Sequence, residues 1–226
     1  MAAHANDDHD GPDPHEEICE HFESFFGKNE MVMHELVSDE LHIDVYPIPP
    51  SDEQPCWTLF TTGMSDQPMN VPPEAADDDE VPDVSLLQFA EVMIRLPEDW
   101  PVMNLEDPAA KEKYWPIAWL KRAARLPNDT ESWLGIGHTV VFSEDEEELE
   151  SDGFAGILVM PGLGPEDFGM VETSDGRLIN IYSIVPLYRD ELDYKLEHGL
   201  EALLEKMEEA DMTDVVEPGR KSVVSG

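Results

Sequence analysis

Apolar residues recur along this chain at two spacings, one near 3.6 and one near 2, and the alternation between them predicts its elements. From Glu16 to Phe26, the residues Ile18, Phe22, Phe25 and Phe26 fall three and four apart, which makes one apolar face of a helix, and Gly27 ends it. Leu41, Ile43 and Val45 then alternate with His42, Asp44 and Tyr46, the period of a half-buried strand, and Pro47, Pro49 and Pro50 are expected to stop it. Trp57 to Thr62 is β-branched and aromatic and predicts a second strand, with Gly63 opening a turn. Leu86 to Leu96 predicts a long, mostly buried strand whose one face carries Leu86, Ala90, Val92, Ile94 and Leu96.

Beyond it, Tyr114 to Leu126 predicts a helix with Pro116 near its first position, where a missing amide proton costs nothing. Ile117, Leu120, Ala123 and Ala124 face inward, while Lys121, Arg122 and Arg125 form the one dense basic spot. Trp133 to Phe142, Phe154 to Met160 and Leu178 to Leu187 predict further strands. Leu192, Leu196, Leu200, Leu203, Leu204 and Met207 predict a last helix with its glutamates outside. The sum is an α+β fold: a mixed, mainly antiparallel sheet flanked by helices.

Composition bounds this picture. A length of 226 residues with 41% hydrophobic content suffices for one core over residues 15–226. The first 14 residues, rich in Asp, His, Pro and Gly, predict a disordered acidic arm. Acidic runs near 74–83 and 144–152 predict solvated loops, the second a hairpin connection longer than the fold needs. Apolar runs are too short to cross a membrane, and the N-terminus has no signal-peptide pattern, so a cytoplasmic protein with Cys19 and Cys56 reduced is expected.

Charge is the loudest compositional feature. With 52 acidic against 13 basic residues, the formal net charge is -39. That field repels phosphate backbones, which disfavours nucleic-acid binding, and attracts basic partners; it also serves solubility.

Candidate chemistry is sparse. His15 and Cys19 sit one helical turn apart with His21 nearby, a spacing able to hold zinc, but no third ligand follows from spacing, so no metal and no cofactor are expected. No serine or threonine lies in a nucleophile elbow, and Cys56 has no partner histidine that spacing identifies; no catalytic residue is assigned. Gly135 and Gly137 bracket Ile136 ahead of His138; with no helix following, this is not a phosphate loop, and a β-bulge or a close backbone approach accounts for it. Arg189 and Asp193, four apart, predict an ion pair at the start of the last helix, with Asp190 and Glu191 favourable in its first turn.

The order of short segments carries more than any one of them. LHIDVYPIPP (41–50), WTLFTTGMS (57–65), AEVMIRLPEDW (90–100), WPIAWLKRAARLP (115–127), WLGIGHTV (133–140), FAGILVMPG (154–162), IVPLYRDEL (184–192) and GRKSVV (219–224) succeed one another in a series that resembles the Suppressor of fused (Sufu) domain family, in its single-domain bacterial form. The resemblance implies a non-enzymatic protein that works by binding another protein. In animal members a groove takes an extended peptide of the Gli transcription factors as an added strand, in a region that includes the Gly-His segment here, so Gly135, Gly137 and His138 are the implied partner-binding residues. Those animal proteins close on the peptide with a second domain that the motif series here lacks, so the Gli ligand does not carry over. Bacterial single-domain members are mostly interpreted as immunity proteins of polymorphic toxin systems. The resemblance therefore implies an immunity protein with a basic toxin domain as partner, or, alternatively, a regulatory module that sequesters another protein by strand addition.

Overall fold

The computed structural model describes residues 13–35, 41–76, 83–102, 108–142 and 151–225. In chain order the elements are α1 (Pro14–Phe26), β1 (Asp44–Ile48), β2 (Cys56–Thr62), β3 (Phe89–Pro97), α2 (Pro108–Glu112), α3 (Trp115–Asp129), β4 (Thr139–Val141), β5 (Gly156–Pro161), β6 (Met170–Glu172), β7 (Leu178–Leu187), α4 (Arg189–His198) and α5 (Leu200–Glu209). The strands form one mixed sheet in the order β1-β2-β3-β7-β5-β4, with β6 also paired to β7. Every pairing is antiparallel except β3 with β7, which run parallel with Phe89 opposite Ile179 and Met93 opposite Ser183. The expected α+β architecture is present.

Both faces of this sheet are covered, which explains why β3 and β7 are apolar on both sides. On one face α3 lays Trp115, Ile117, Trp119, Leu120, Ala123 and Ala124 over Leu59, Val92, Ile94, Ile157 and Ile184. The other face is divided. Over β1, β2 and β3, α1 packs Ile18, Phe22 and Phe26 on Phe60 and Met93, joined by the buried Phe168. Over β5 and β7, Leu192, Leu203 and Met207 of α4 and α5 cover Leu158, Val185 and Leu187.

Helix α1 starts two residues earlier than Glu16: Asp13 caps it by accepting the His15 amide proton at 3.0 Å, and Pro14 takes the first position. Residues 1–12 of the expected arm lie outside the described residues, as do 77–82 and 144–150 of the two acidic runs.

Several expected boundaries move. Pro47 lies inside β1, opposite Leu59, rather than ending the strand; beside the sheet's edge a missing donor is tolerated. Leu86 belongs to a 3-10 turn, Val84–Leu87, so the buried strand starts at Phe89. Trp133 to His138 lie outside the strand, with a turn at Gly135 to His138, leaving only Thr139–Val141 as strand. The single last helix is two: Gly199, at φ +92°, breaks it into α4 and α5, and Leu196 is left 71% exposed instead of joining the apolar stripe. The basic spot of α3 is consumed within the fold, since Arg125 pairs with Glu35 and Arg122 lies over the Phe142 ring at 4.8 Å. Both cysteines are free thiols.

Candidate functional site

At one end of the sheet, the Gly-His segment forms a turn and then a bulge. The His138 amide donates to the Gly135 carbonyl at 3.0 Å, which closes a four-residue turn. Gly137 holds φ +82° at the third position, where a type II turn requires a positive value. The next ladder rungs double up: the Gly137 amide donates to the Val159 carbonyl and the Val159 amide donates to the His138 carbonyl, both at 2.8 Å. Two residues therefore oppose one, with a left-handed glycine first, the geometry of a G1 bulge. This is the backbone role the sequence offered for the glycine pair.

The bulge is backed from the helical side. A Cβ on Gly137 would stand 2.8 Å from Leu200 Cδ2 at the start of α5. The Trp133 ring meets the His138 ring edge-on at 4.4 Å between centroids. Burial and the Lys195 cation hold the His138 pKa below the ordinary imidazole value, so at neutral pH its ring is uncharged.

Beyond the bulge, β4 is the terminal strand of the sheet, and among the described residues its outer edge pairs with no strand. Phe142 donates to Ala155, so by antiparallel alternation Val140 shares that bonded register, and the main-chain groups of Thr139 and Val141 point outward. Two exposed apolar side chains flank this edge, Ile136 at 55% and Val141 at 45%. The opposite edge differs, because Met33 bridges Val45 and caps β1.

The helix α1 residues do not converge on a metal. His15 hydrogen-bonds Asp66 at 2.9 Å and Thr62 at 3.2 Å. His21 turns the other way, bonding the Phe168 carbonyl at 2.8 Å and stacking on the Phe168 ring. Burial pushes the Cys19 thiol up to about 12, and Cys56 also upward, so neither is a thiolate at neutral pH.

Sequence reading missed one buried polar centre. Glu91, on β3 beneath α1, is fully buried. Its carboxyl accepts from Thr61 Oγ1 at 2.6 Å, the Ser65 amide at 3.0 Å and Ser65 Oγ at 2.7 Å. Burial raises its pKa to about 7 against those bonds. Its place in an alternating strand pattern gave no sign of burial, because the covering helix lies far away in sequence.

The family model described as Suppressor of fused protein (SUFU) matches residues 39–221. The chain belongs to that family. Comparison with curated proteins gives no match. Among solved structures, the chain of a Sufu–Fu complex is similar over 94% of this chain and 93% of its own, at 16% identity and a TM-score of 0.62. A protein described as a SUFU homologue from Neisseria gonorrhoeae FA 1090 is similar over 93% of this chain and 97% of its own, at 18% identity and a TM-score of 0.62. Drosophila Suppressor of Fused is similar over 95% of this chain at 15% identity and a TM-score of 0.63, and this chain spans 52% of that one. At these identities the likeness is one of fold.

In this Sufu domain the two last motifs of the series meet. Arg220 of GRKSVV donates to the buried Glu191 of IVPLYRDEL, and Glu191 also accepts the Tyr188 and Val223 amides, each at 2.8 Å. The guanidinium covers the Tyr188 ring at 4.7 Å. Arg189 pairs with Asp193 at 3.1 Å, as the four-residue spacing predicts. The Sufu motifs near the C-terminus thus fasten the tail to the sheet.

Proposed function

We propose that this chain is a non-enzymatic protein-binding module that receives an extended segment of its partner along the outer edge of β4, with Gly135, Gly137 and His138 shaping that edge. The observation that carries the reading is the outward main chain of Thr139 and Val141 on a terminal strand flanked by exposed apolar side chains. Strand addition uses main-chain hydrogen bonds for affinity and neighbouring side chains for selectivity. The protonated thiols support a role without nucleophilic chemistry.

The partner class that fits is a basic toxin domain, with this chain as its cytoplasmic immunity protein. A net charge of -39 accelerates capture of a cationic protein. One structural relative was solved in complex with a protein, Fu. The test is binding kinetics against the toxin domain encoded beside this gene, with Val141→Pro as the probe. That substitution removes an outward amide proton and leaves the β4–β5 bonds in place. Tenfold or greater loss of affinity with an unchanged fold is expected; unchanged affinity overturns the β4 site. An association rate that ignores salt removes the role of charge. Absence of binding to any neighbouring toxin leaves the same edge serving a regulatory module that sequesters another protein.

A further inference from the structure

A second constellation lies at the opposite edge of the sheet. The antiparallel bridge between Met33 and Val45 sets His34 beside Asp44. His42 precedes Asp44 by two residues, which puts both side chains on one side of an extended chain. His34 Nδ1 stands 2.9 Å from Asp44 Oδ2, and His42 Nε2 stands 3.0 Å from Asp44 Oδ1. The three ligating atoms all lie within 4.8 Å of one another. The Glu35 amide donates to Asp44 Oδ1 at 3.2 Å and so fixes the carboxylate, as a supporting hydrogen bond does for a metal ligand.

We propose that His34, His42 and Asp44 form a binding site for a divalent transition-metal ion of the zinc, cobalt and nickel class. Two imidazole nitrogens with one carboxylate oxygen suit these borderline ions, whereas calcium and magnesium select oxygen ligands. An ion bound at roughly 2.0–2.2 Å to each atom fits among donors that lie within 4.8 Å of one another, after side-chain adjustment. Ion pairing alone accounts poorly for the convergence, because the side chains of His34 and His42 are 61% and 46% exposed and exposed pairs contribute little. Three protein ligands leave a coordination position open to water or to a group on a partner.

The surroundings bear on the ion's capture. Asp44 also lines an open pocket of about 640 Å³ with Asp13, Glu16 and Glu20, and the chain's net charge concentrates cations around it. Lys121 opposes binding: burial lowers its pKa, but the Asp44 carboxylate works against that shift, and an arriving ion meets the same ammonium. Arg125, paired with Glu35, adds positive charge one step away. The site is therefore an exchangeable one.

Cobalt(II) titration of the chelator-stripped full chain, followed by visible ligand-field absorption, tests this. We expect one equivalent to saturate the bands and zinc to displace them. Both histidines are exposed, so His34→Ala and His42→Ala keep the fold, as circular dichroism checks; each is expected to weaken binding by roughly tenfold or more. Absence of a saturable band, or bands that survive either histidine substitution at unchanged affinity, overturns the proposal and leaves only diffuse attraction to surface carboxylates.

Discussion

Arg220 closes on Glu191 through both terminal nitrogens, with Nη2 2.7 Å from Oε2, and the carboxylate it meets is wholly buried. The pair joins the 219–224 tail to the first turn of α4, where Glu191 already caps the helix by accepting the Tyr188 amide. Removing one partner leaves the other charge buried without its counter-ion. Arg220→Ala is expected to cost roughly 3–5 kcal/mol in urea unfolding. A loss below about 1 kcal/mol shows that the pair is worth no more than an exposed one.

Glu91 gives the protein a pH dependence of definite sign. Its pKa rises from 4.5 to about 7 on folding, so the native state favours the protonated carboxyl. That contribution is fully present below the unfolded value and is lost as pH rises through 7, at a cost on the order of 3 kcal/mol. Glu91→Gln mimics the protonated form. Thermal melts of the two proteins are expected to agree near pH 4 and to favour the Gln variant at pH 8; parallel pH profiles refute the assignment.

Gly137→Ala tests the bulge. The left-handed backbone costs a non-glycine residue roughly 1–2 kcal/mol, and the new methyl meets Leu200 Cδ2. A fall in stability of that size is expected in denaturant titration, together with faster amide exchange at Val159, whose proton bonds the His138 carbonyl. Stability equal to wild type contradicts the positive φ.

Phe168 is fully buried, and its ring meets those of His21, Phe22, Phe25 and Phe26. Phe168→Ala is expected to cost roughly 3–5 kcal/mol. The loss is measured by urea unfolding with a probe on α1, and a cost under about 1 kcal/mol places the ring outside the core.

How much of this was legible in the sequence depended on the range of the determining contact. Local periodicity sufficed for β7, whose bounds match the reading from Leu178 to Leu187, and for the apolar face of α1. The glycine pair also pointed to the β-bulge that Gly137 forms, a property of the backbone there, although the pattern predicts strand throughout that segment and not its turn. Gly199 was overridden by the leucine spacing around it, although a glycine at that point is a helix stop. Phe168 sits in an irregular, proline- and glycine-rich stretch with no period, and only its contact with α1 gives it a role. Glu91 and the His34–Asp44 pairing need partners from other elements, which spacing along one segment does not reveal.

The parallel seam between β3 and β7 also sets the order in which the fold is completed. On either side of it, local antiparallel pairings assemble β1 with β2 and β3, and β4 with β5. The seam itself joins Phe89–Met93 to Ile179–Ser183, segments from distant parts of the chain, and closing that loop costs entropy before any contact repays it. The central pairing is therefore expected to form last. Until it forms, neither half has the neighbour that buries the inner edges of β3 and β7, so a nick in the long connection between them should leave two fragments that regain structure only together.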